Sequence, residues 1–354
     1  MTHGGVNRQW TVGRPDRDPG GLCLAPGHFV AAEGSIPAPG DGQVLIRTVY
    51  LSPDPMNHAW VRGMPGKFDA LPPGSPMRGG VAGRIVASRH PGWRVGDGVT
   101  GFLDWADYAL SDGTDHMGVP LARVPPGIDL ASGLSALGMT GICAWLGLAE
   151  IGRLTPGDTV LISGASGGIG SMAGQIARKF HARTIGIAGG AEKCALVTAA
   201  GFDAVIDYRA PDLAGGIAAA CPDGVDLFLD NVGGPLLDAA LLNMATGGRI
   251  VICGATAHYG AEPTPIHHHL QLAMRSVTMQ GFFYFAMADR WPVARARLAK
   301  WLRDGSIREM LDIAEGFDTV PDVAIGQFAG GVKGRKLIRI AADPGADPRW
   351  IFRP

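Results

Sequence analysis

The sequence predicts an α/β protein that combines a doubly wound parallel sheet with a mostly β part. From residue 134 onward, short apolar runs alternate with helical stretches, which is typical of parallel sheets. Before that point, alternating or apolar runs are separated by proline and glycine, which indicates short strands joined by turns. The 354 residues are enough for two domains with substantial cores.

The individual elements follow from these patterns in chain order. Four strands are predicted in the mostly β part, over residues 43–52, 80–88, 98–103 and 105–110. The apolar segment 134–151 contains glycines and Glu150, so we expect a buried helix there rather than a membrane span. Six strands of the parallel sheet are predicted over residues 161–163, 185–188, 204–206, 227–229, 249–253 and 278–283. A final strand over residues 335–341 is expected to return to the mostly β part.

A glycine-rich turn links the first strand of the parallel sheet to a helix expected over residues 171–180. Ala165, Gly167 and Gly170 occupy the three small-residue positions of a dinucleotide-binding turn. Small residues there permit a tight turn, close approach to a pyrophosphate and packing of the helix on the strand. Free N–H groups at the helix start would face the phosphates. The pattern therefore predicts a dinucleotide cofactor.

The end of the second parallel strand indicates which dinucleotide is bound. A protein that uses NAD places an acid there for the ribose hydroxyls, whereas this chain has GGAEK over residues 189–193. Lys193 is a cation within reach of a 2′-phosphate, which favours NADP(H). The alternative is that Lys193 is an ordinary solvated lysine at a helix start.

Composition narrows the range of functions. Lysine and arginine total 31 against 32 acidic residues, and no basic run with interleaved aromatics suggests a nucleic-acid partner. Five widely spaced cysteines form neither a disulfide framework nor a zinc lobe. The triplet 267–269 is HHH, but adjacent side chains cannot all point one way, so we expect no metal. Residues 1–18 are polar without an apolar stretch, so we expect a cytoplasmic protein that is not associated with a membrane.

Six short motifs occur in a specific order along nearly the whole chain. They are NRQW (7–10), LSPDP (51–55), ALGMTG (136–141), SGASGGIGS (163–171), DNVGG (230–234) and GRIVICGA (248–255). On these motifs the chain resembles the zinc-independent medium-chain dehydrogenase/reductase superfamily, in its prostaglandin reductase and alkenal or curcumin double-bond reductase branch. The resemblance implies a GroES-like substrate-binding β domain over residues 1–131 and 317–354. It also implies a Rossmann NADP(H)-binding domain over residues 132–316, and a homodimer, for which the segment 278–283 is a candidate sheet edge.

The same resemblance implies particular cofactor contacts. The pyrophosphate would contact Gly167, Gly168, Ile169 and Gly170, and the 2′-phosphate would contact Lys193 and Tyr208. Further along the nucleotide, the implied contacts are Asn231, Cys253, Gly254, Ala255 and Tyr259, and beside the nicotinamide they are Phe282, Phe283 and Tyr284. From the residues alone, Asn231 lies just past an apolar strand, where open α/β sheets bind ligands, but it fits an ordinary turn equally well. Tyr208 and the aromatic run 282–284 are also compatible with simple packing.

The chain departs from the family pattern on the substrate side. DPMNH over residues 54–58 replaces the common DPYMR, so Met56 stands where a tyrosine is usual. Val332 replaces an asparagine of the C-terminal NxGK pattern. Met56, with Trp60 and Met64, suggests an apolar pocket lining, and Asn57 or His58 is a candidate for orienting the substrate.

The chemistry is expected to depend on hydride transfer and positioning. No Cys/His/carboxylate set for catalytic zinc is visible, and positioning alone supplies about 7 to 11 kcal/mol of catalysis. Reduction of an activated C=C bond of an enone or enal fits this, with Tyr259 as a candidate donor to the enolate oxygen. The alternative is that Tyr259 only covers the cofactor. The alternatives are a quinone reductase, a dedicated biosynthetic reductase and a non-catalytic NADPH-binding protein.

Overall fold

The structure is a computed structural model that describes residues 5–15, 24–64, 66–258, 264–326 and 333–346. The chain divides into two compact units. The terminal unit comprises residues 1–134, 312–332 and 336–354, and the central unit comprises residues 135–311 and 333–335. The domain limits expected from the sequence, 131/132 and 316/317, stay a prediction.

The terminal unit begins with seven strands and two helices. In chain order they are β1 (Val6–Val12), β2 (Phe29–Ser35), β3 (Val44–Ser52), α1 (Met56–Arg62), β4 (Arg78–Ser88), β5 (Gly98–Asp104), β6 (Tyr108–Ser111), β7 (Ala122–Arg123) and α2 (Leu130–Leu134). The strand predicted over residues 105–110 starts only at Tyr108. The reason is that Trp105 bonds to a different segment. Its carbonyl accepts a hydrogen bond from the N–H of Trp10 at 2.9 Å, and its side chain is fully buried.

The central unit alternates helices and strands. It contains α3 (Met139–Trp145), a π-helical segment (Leu146–Ile151), β8 (Thr159–Ile162), α4 (Gly168–Lys179), β9 (Arg183–Ala188), α5 (Ala191–Ala199), β10 (Ala204–Asp207), α6 (Leu213–Ala220), β11 (Val225–Asp230), α7 (Pro235–Leu241), β12 (Met244–Ile252), α8 (Leu270–Met274), β13 (Thr278–Gly281) and α9 (Trp291–Arg303). The chain then continues into β14 (Leu311–Glu315), α10 (Val320–Gly326) and β15 (Arg335–Arg339). Short 3₁₀ segments lie at Pro26–His28, Thr256–His258, Tyr284–Arg290, Phe317–Thr319 and Pro344–Ala346.

The central unit contains the predicted parallel sheet. Its six strands are ordered β10-β9-β8-β11-β12-β13, and every neighbouring pair is parallel. This is the doubly wound order. From β8 the chain adds β9 and β10 on one side, and it then returns to add β11, β12 and β13 on the other side of β8. Leu161, Ile185 and Phe228 are fully buried, as expected for strands covered on both faces. The carboxyl ends of β8 and β11 therefore mark the crevice where such sheets bind ligands.

The terminal unit contains the predicted mostly β part. A sheet ordered β14-β15-β3-β4-β5-β7 has β6 beside β3, and β1 pairs separately with β2. As expected, the final strand returns to this unit, where β15 pairs antiparallel with β3 through Ile338 and Leu51. The N–H of the Trp10 indole donates to the carbonyl of Phe317 at 3.1 Å. This bond links the N-terminal segment of the unit to the segment that begins at residue 312.

The apolar segment 134–151 is not the single helix that we expected. Helix α2 ends at Leu134, α3 begins after Gly138, and the chain from Leu146 to Ile151 is π-helical. Gly138 has an extended backbone (φ −100°, ψ −157°), so the helix cannot run through it. Among the residues described, no helix combines the length and apolar character needed to cross a membrane.

Candidate functional site

The glycine-rich turn lies at the carboxyl end of β8. Helix α4 begins at Gly168, three residues earlier than predicted, and its first helical hydrogen bond runs from the N–H of Ser171 to the carbonyl of Gly167 at 3.0 Å. The N–H groups of residues 168–170 precede that bond and have no partner within the helix. A Cβ atom at Gly170 would overlap the carbonyl of Gly164, so only glycine fits. Residues 168–170 of the turn therefore have the backbone N–H groups that an anion site needs, whereas the N–H of Gly167 already donates to the carbonyl of Gly164 at 2.9 Å.

A second pair of glycines shapes the end of β9. A Cβ atom at Gly189 would lie 2.5 Å from Cε1 of the Tyr208 ring. Gly190 has φ of +85°, and a Cβ atom there would lie 2.8 Å from an Nη atom of Arg209. The two glycines thus allow the Tyr208 ring and the Arg209 guanidinium to lie across the turn that leads into α5. Tyr208 remains 49% exposed.

Lys193 lies in the first turn of α5, beside this Gly-Gly turn, in a positively charged environment. Burial lowers the pKa of Lys193, and the positive charges of Arg209 and Lys333 lower it further, against the opposing effect of Glu192. The two predicted 2′-phosphate contacts, Lys193 and Tyr208, therefore both lie at the carboxyl end of β9. Sequence reasoning missed Arg209 and Lys333, although Arg209 directly follows Tyr208.

A buried hydrogen-bond network joins β8 to β11 at the sheet reversal. The Ser163 hydroxyl donates to Oδ1 of Asp230 at 2.8 Å and accepts from the N–H of Asn231 at 2.7 Å. Asp230 also accepts from the N–H groups of Val232 and Gly233. Burial raises the pKa of Asp230, although these hydrogen bonds oppose the change. Sequence reasoning missed Ser163 and Asp230 as members of the site.

Asn231 is held by this network with one polar atom left over. Its Nδ2 donates to the carbonyl of Ser163 at 3.2 Å. Its Oδ1 is buried and has no hydrogen-bond partner among the residues that the structure describes. Buried polar atoms are almost always paired in native proteins, so this acceptor is a candidate contact for a ligand.

Residues 253–255 lie against Asn231 at the carboxyl end of β12. The N–H groups of Cys253 and Gly254 donate to the carbonyl of Asp230 at 2.8 and 3.1 Å. A Cβ atom at Gly254 would lie 3.1 Å from the carbonyl oxygen of Asn231. Gly254 therefore lies directly against Asn231, with Cys253 and Ala255 beside it in the chain. Tyr259 and Val332 lie outside the described residues.

The aromatic run 282–284 follows β13, the last strand of the sheet. Tyr284 is buried and stacks on Trp291 with ring centroids 4.1 Å apart. Phe283 contacts Phe285, with centroids 5.6 Å apart. Phe282 points toward Gly147, where a Cβ atom would lie 3.7 Å from its ring. The structure thus favours core packing for Tyr284, while Phe282 and Phe283 remain partly exposed.

The substrate candidates of the terminal unit lie at the start of α1. Asn57 is fully buried; its Oδ1 accepts from the N–H of Asp54 at 2.7 Å and its Nδ2 donates to the carbonyl of Arg78 at 2.9 Å. The expectation that Asn57 orients a substrate does not fit this geometry, because both polar atoms already serve the local backbone. Met56 is partly exposed. Burial lowers the pKa of His58 to about 4, so its imidazole is neutral near pH 7.

Two residues of the histidine triplet form hydrogen bonds with Asp238 of α7. His267 and His268 both donate backbone N–H groups to Asp238, and Nδ1 of His267 lies 2.9 Å from Oδ2 of that carboxylate. In the described ranges, no group of three or more His, Cys, Asp or Glu side chains is arranged to hold a metal.

Comparisons with known proteins identify the family. Two family models match, one described as zinc-binding dehydrogenase over residues 168–300 and one as the N-terminal domain of oxidoreductase over residues 14–119. The chain is 36% identical over 346 residues to the NADPH-dependent curcumin reductase of Escherichia coli (strain K12), covering 95% of this chain and 98% of that protein. The chain is a zinc-independent medium-chain dehydrogenase/reductase.

Two further relatives lie in the same branch. The NADP(+)-dependent 2-alkenal reductase of Nicotiana tabacum is 30% identical over 308 residues, covering 86% of this chain and 89% of the relative. The crystal structure of CurA from Vibrio vulnificus in complex with NADPH has a TM-score of 0.84 and 32% sequence identity, covering 95% of this chain and 99% of that one. These findings confirm the predicted family and fold class.

Proposed function

We propose that this protein reduces the activated C=C bond of α,β-unsaturated ketones or aldehydes with NADPH. It is an NADP-dependent oxidoreductase that acts on CH–CH groups, as its curcumin reductase and alkenal reductase relatives indicate. The observation that supports NADPH most directly is the carboxyl end of β9. There, Lys193, Arg209 and Lys333 lie together, and no acid ends the strand itself.

The residues at the sheet edge fit a dinucleotide. The glycine turn exposes the N–H groups of residues 168–170, which suit a pyrophosphate. Oδ1 of Asn231, which has no partner in the part of the chain that the structure describes, suits a hydroxyl or amide donor of the nucleotide. In this proposal Lys193 and Tyr208 contact the 2′-phosphate, and Cys253, Gly254 and Ala255 contact the nucleotide beyond Asn231. Phe282 and Phe283 remain candidates for the nicotinamide end.

The protein contributes binding, orientation and charge stabilisation to the reaction. When bound, NADPH supplies the hydride that is added to the substrate carbon β to the carbonyl. The enolate oxygen that develops then needs a hydrogen-bond donor, for which we propose the hydroxyl of Tyr259. One well-placed donor of this kind is worth about 2.7 to 4 kcal/mol. Met56 is proposed as part of an apolar substrate pocket.

The test is NADPH oxidation, followed by absorbance, against enones, enals and quinones, with NADH in parallel. We expect turnover of enones and enals with NADPH preferred, and loss of that preference in Lys193→Ala. Product analysis must show the saturated carbonyl compound. Turnover of quinones alone would instead favour a quinone reductase, and tight NADPH binding without any turnover would contradict the proposal.

We also propose that the protein is a homodimer. Strand β13 is the last strand of the central sheet and is largely exposed. Leu270 and Met274, one turn apart on the neighbouring α8, are 63% and 72% exposed. Two exposed apolar side chains on one helix, next to an edge strand, suit a contact with a second copy of the chain. We expect light scattering to give a dimeric mass for the wild type and the monomer mass for Leu270→Glu. A monomeric wild type would contradict the proposal.

The cytoplasmic location stays a prediction.

A further inference from the structure

We propose that Glu192 is an internal counterion of the 2′-phosphate site, and that Lys333 exchanges Glu192 for the phosphate, which Arg209 also contacts. This inference rests on the proposed use of NADPH. It assigns three further residues that set the preference for NADPH over NADH.

The position of Arg209 is determined by the Gly-Gly turn. Its guanidinium lies over Gly190, directly before α5 begins, and its backbone N–H donates to Oδ1 of Asp207 at 3.0 Å. The same carboxylate oxygen accepts from the N–H of Gly190 at 3.0 Å. These bonds fix the backbone from which the guanidinium extends over the turn that leads to Lys193.

Lys333 reaches the site from a distant part of the chain. It belongs to the three-residue segment 333–335 that packs within the central unit. The next residue, Gly334, pairs with the glycine-rich turn, donating its N–H to the carbonyl of Ser166 at 2.8 Å. The Lys333 ammonium forms an ion pair with Glu192, one residue before Lys193. The backbone of Lys333 is therefore anchored beside the proposed pyrophosphate site, and its charge lies beside the proposed 2′-phosphate site.

The charges at this position are arranged for an incoming anion. Three cations, Lys193, Arg209 and Lys333, face two acids, Glu192 and Asp207. Asp207 already accepts two backbone N–H groups, which lower its pKa. Asp207 stays ionised beside Arg209, whereas Glu192 is the acid that pairs with Lys333, and its side chain is 73% exposed. An exposed ion pair of this kind contributes little to stability, so Lys333 can leave it at small cost.

A phosphate dianion would interact with all three cations and would be repelled by Glu192. Glu192 therefore lowers NADPH affinity, while it keeps the cations neutralised when no phosphate is present. Removal of the Glu192 charge and removal of the Lys333 charge should then have opposite effects on NADPH binding. A site in which Lys333 and Glu192 serve only to join two chain segments would not show this opposition.

The experiment measures dissociation constants of NADPH and NADH by fluorescence titration for wild type, Arg209→Ala, Arg209→Lys, Lys333→Ala and Glu192→Gln. Lys300→Ala, an exposed lysine of α9, is the matched control. We expect Arg209→Ala and Lys333→Ala to weaken NADPH about tenfold each, as for the loss of one charge-assisted hydrogen bond, with NADH changed less than about twofold. Arg209→Lys should restore part of the loss, and Glu192→Gln should tighten NADPH about twofold or more.

Two outcomes overturn the inference, and they differ from failure of the proposed function. An unchanged NADPH/NADH affinity ratio in Arg209→Ala and Lys333→Ala removes these residues from the site, even when the wild type binds NADPH well. Weaker NADPH binding in Glu192→Gln shows that Glu192 supports the site structurally and is not a displaced counterion. A wild type that binds neither dinucleotide refutes both this inference and the proposed function. Competition by 2′,5′-ADP, compared with 5′-AMP, provides a readout that involves no turnover.

Discussion

Polar groups are used differently at the sheet edge of the central unit and at the start of α1 in the terminal unit. At the sheet edge, the first N–H groups of α4 lack helical partners, and Oδ1 of Asn231 is buried without a partner among the described residues. At α1, both polar atoms of Asn57 are bonded to nearby backbone, and the Asp54 carboxylate accepts from Ser52 at 3.1 Å. The first arrangement offers polar groups to a ligand, whereas the side-chain amide of Asn57 is already bonded within the chain. Residue type alone, asparagine in both cases, does not distinguish them.

The largest expected effect comes from filling the glycine turn. In Gly170→Val the side chain would overlap the carbonyl of Gly164, so α4 could not begin where it does. We expect a loss of about 4 kcal/mol or more in the free energy of unfolding, together with loss of NADPH binding. Urea denaturation and fluorescence titration measure the two effects. Gly326→Ala, in an open position on α10, is the control and should lower neither the stability nor the NADPH affinity. A stable Gly170→Val protein with normal NADPH affinity would show that this turn is not the site.

The local part of this site was predictable from sequence because its spacing repeats over a few residues. Gly167 and Gly170 form the turn together with the strand directly before them. Ser163 and Asp230 were missed because their hydrogen bond joins residues 67 positions apart. The pair Lys333 and Glu192 spans 141 positions, and only folding brings its members together. The segment 134–151 was predicted as one helix because apolarity does not reveal that Gly138 is extended.

The second prediction concerns His58, a buried base in α1. Its folded-state pKa of about 4 lies below the ordinary value of 6.5, so between these pH values the unfolded chain binds more protons. Stability from this group is therefore complete above pH 6.5 and falls as the pH decreases toward 4, by about 3 kcal/mol. Urea denaturation at several pH values should show this slope in the wild type and a smaller one in His58→Leu. His181→Asn, at an exposed histidine, should retain the wild-type slope. Equal slopes in wild type and His58→Leu would contradict the assignment.

The third prediction tests whether Asn57 is structural. In Asn57→Ala the N–H of Asp54 and the carbonyl of Arg78 both lose their partner, which should cost about 2 kcal/mol of unfolding free energy. NADPH affinity should stay within about twofold of wild type, because the loss is confined to the terminal unit. The KM for an enone should also remain near wild type in the folded fraction. A large rise in KM without loss of stability would instead restore the substrate contact suggested by the sequence.

The smallest expected effect sharpens the comparison between the two asparagines. Asn231→Ala removes the Oδ1 acceptor, and we expect NADPH affinity to fall about fivefold, as for one neutral hydrogen bond of about 1 kcal/mol. Asn243→Ala is the matched control, because Nδ2 of Asn243 donates to the carbonyls of Ala214 and Ala239 within the central unit. That control should lose stability and keep its NADPH affinity. If the two variants lose affinity equally, Oδ1 of Asn231 does not mark a ligand contact, because a general loosening of the central unit would explain both losses.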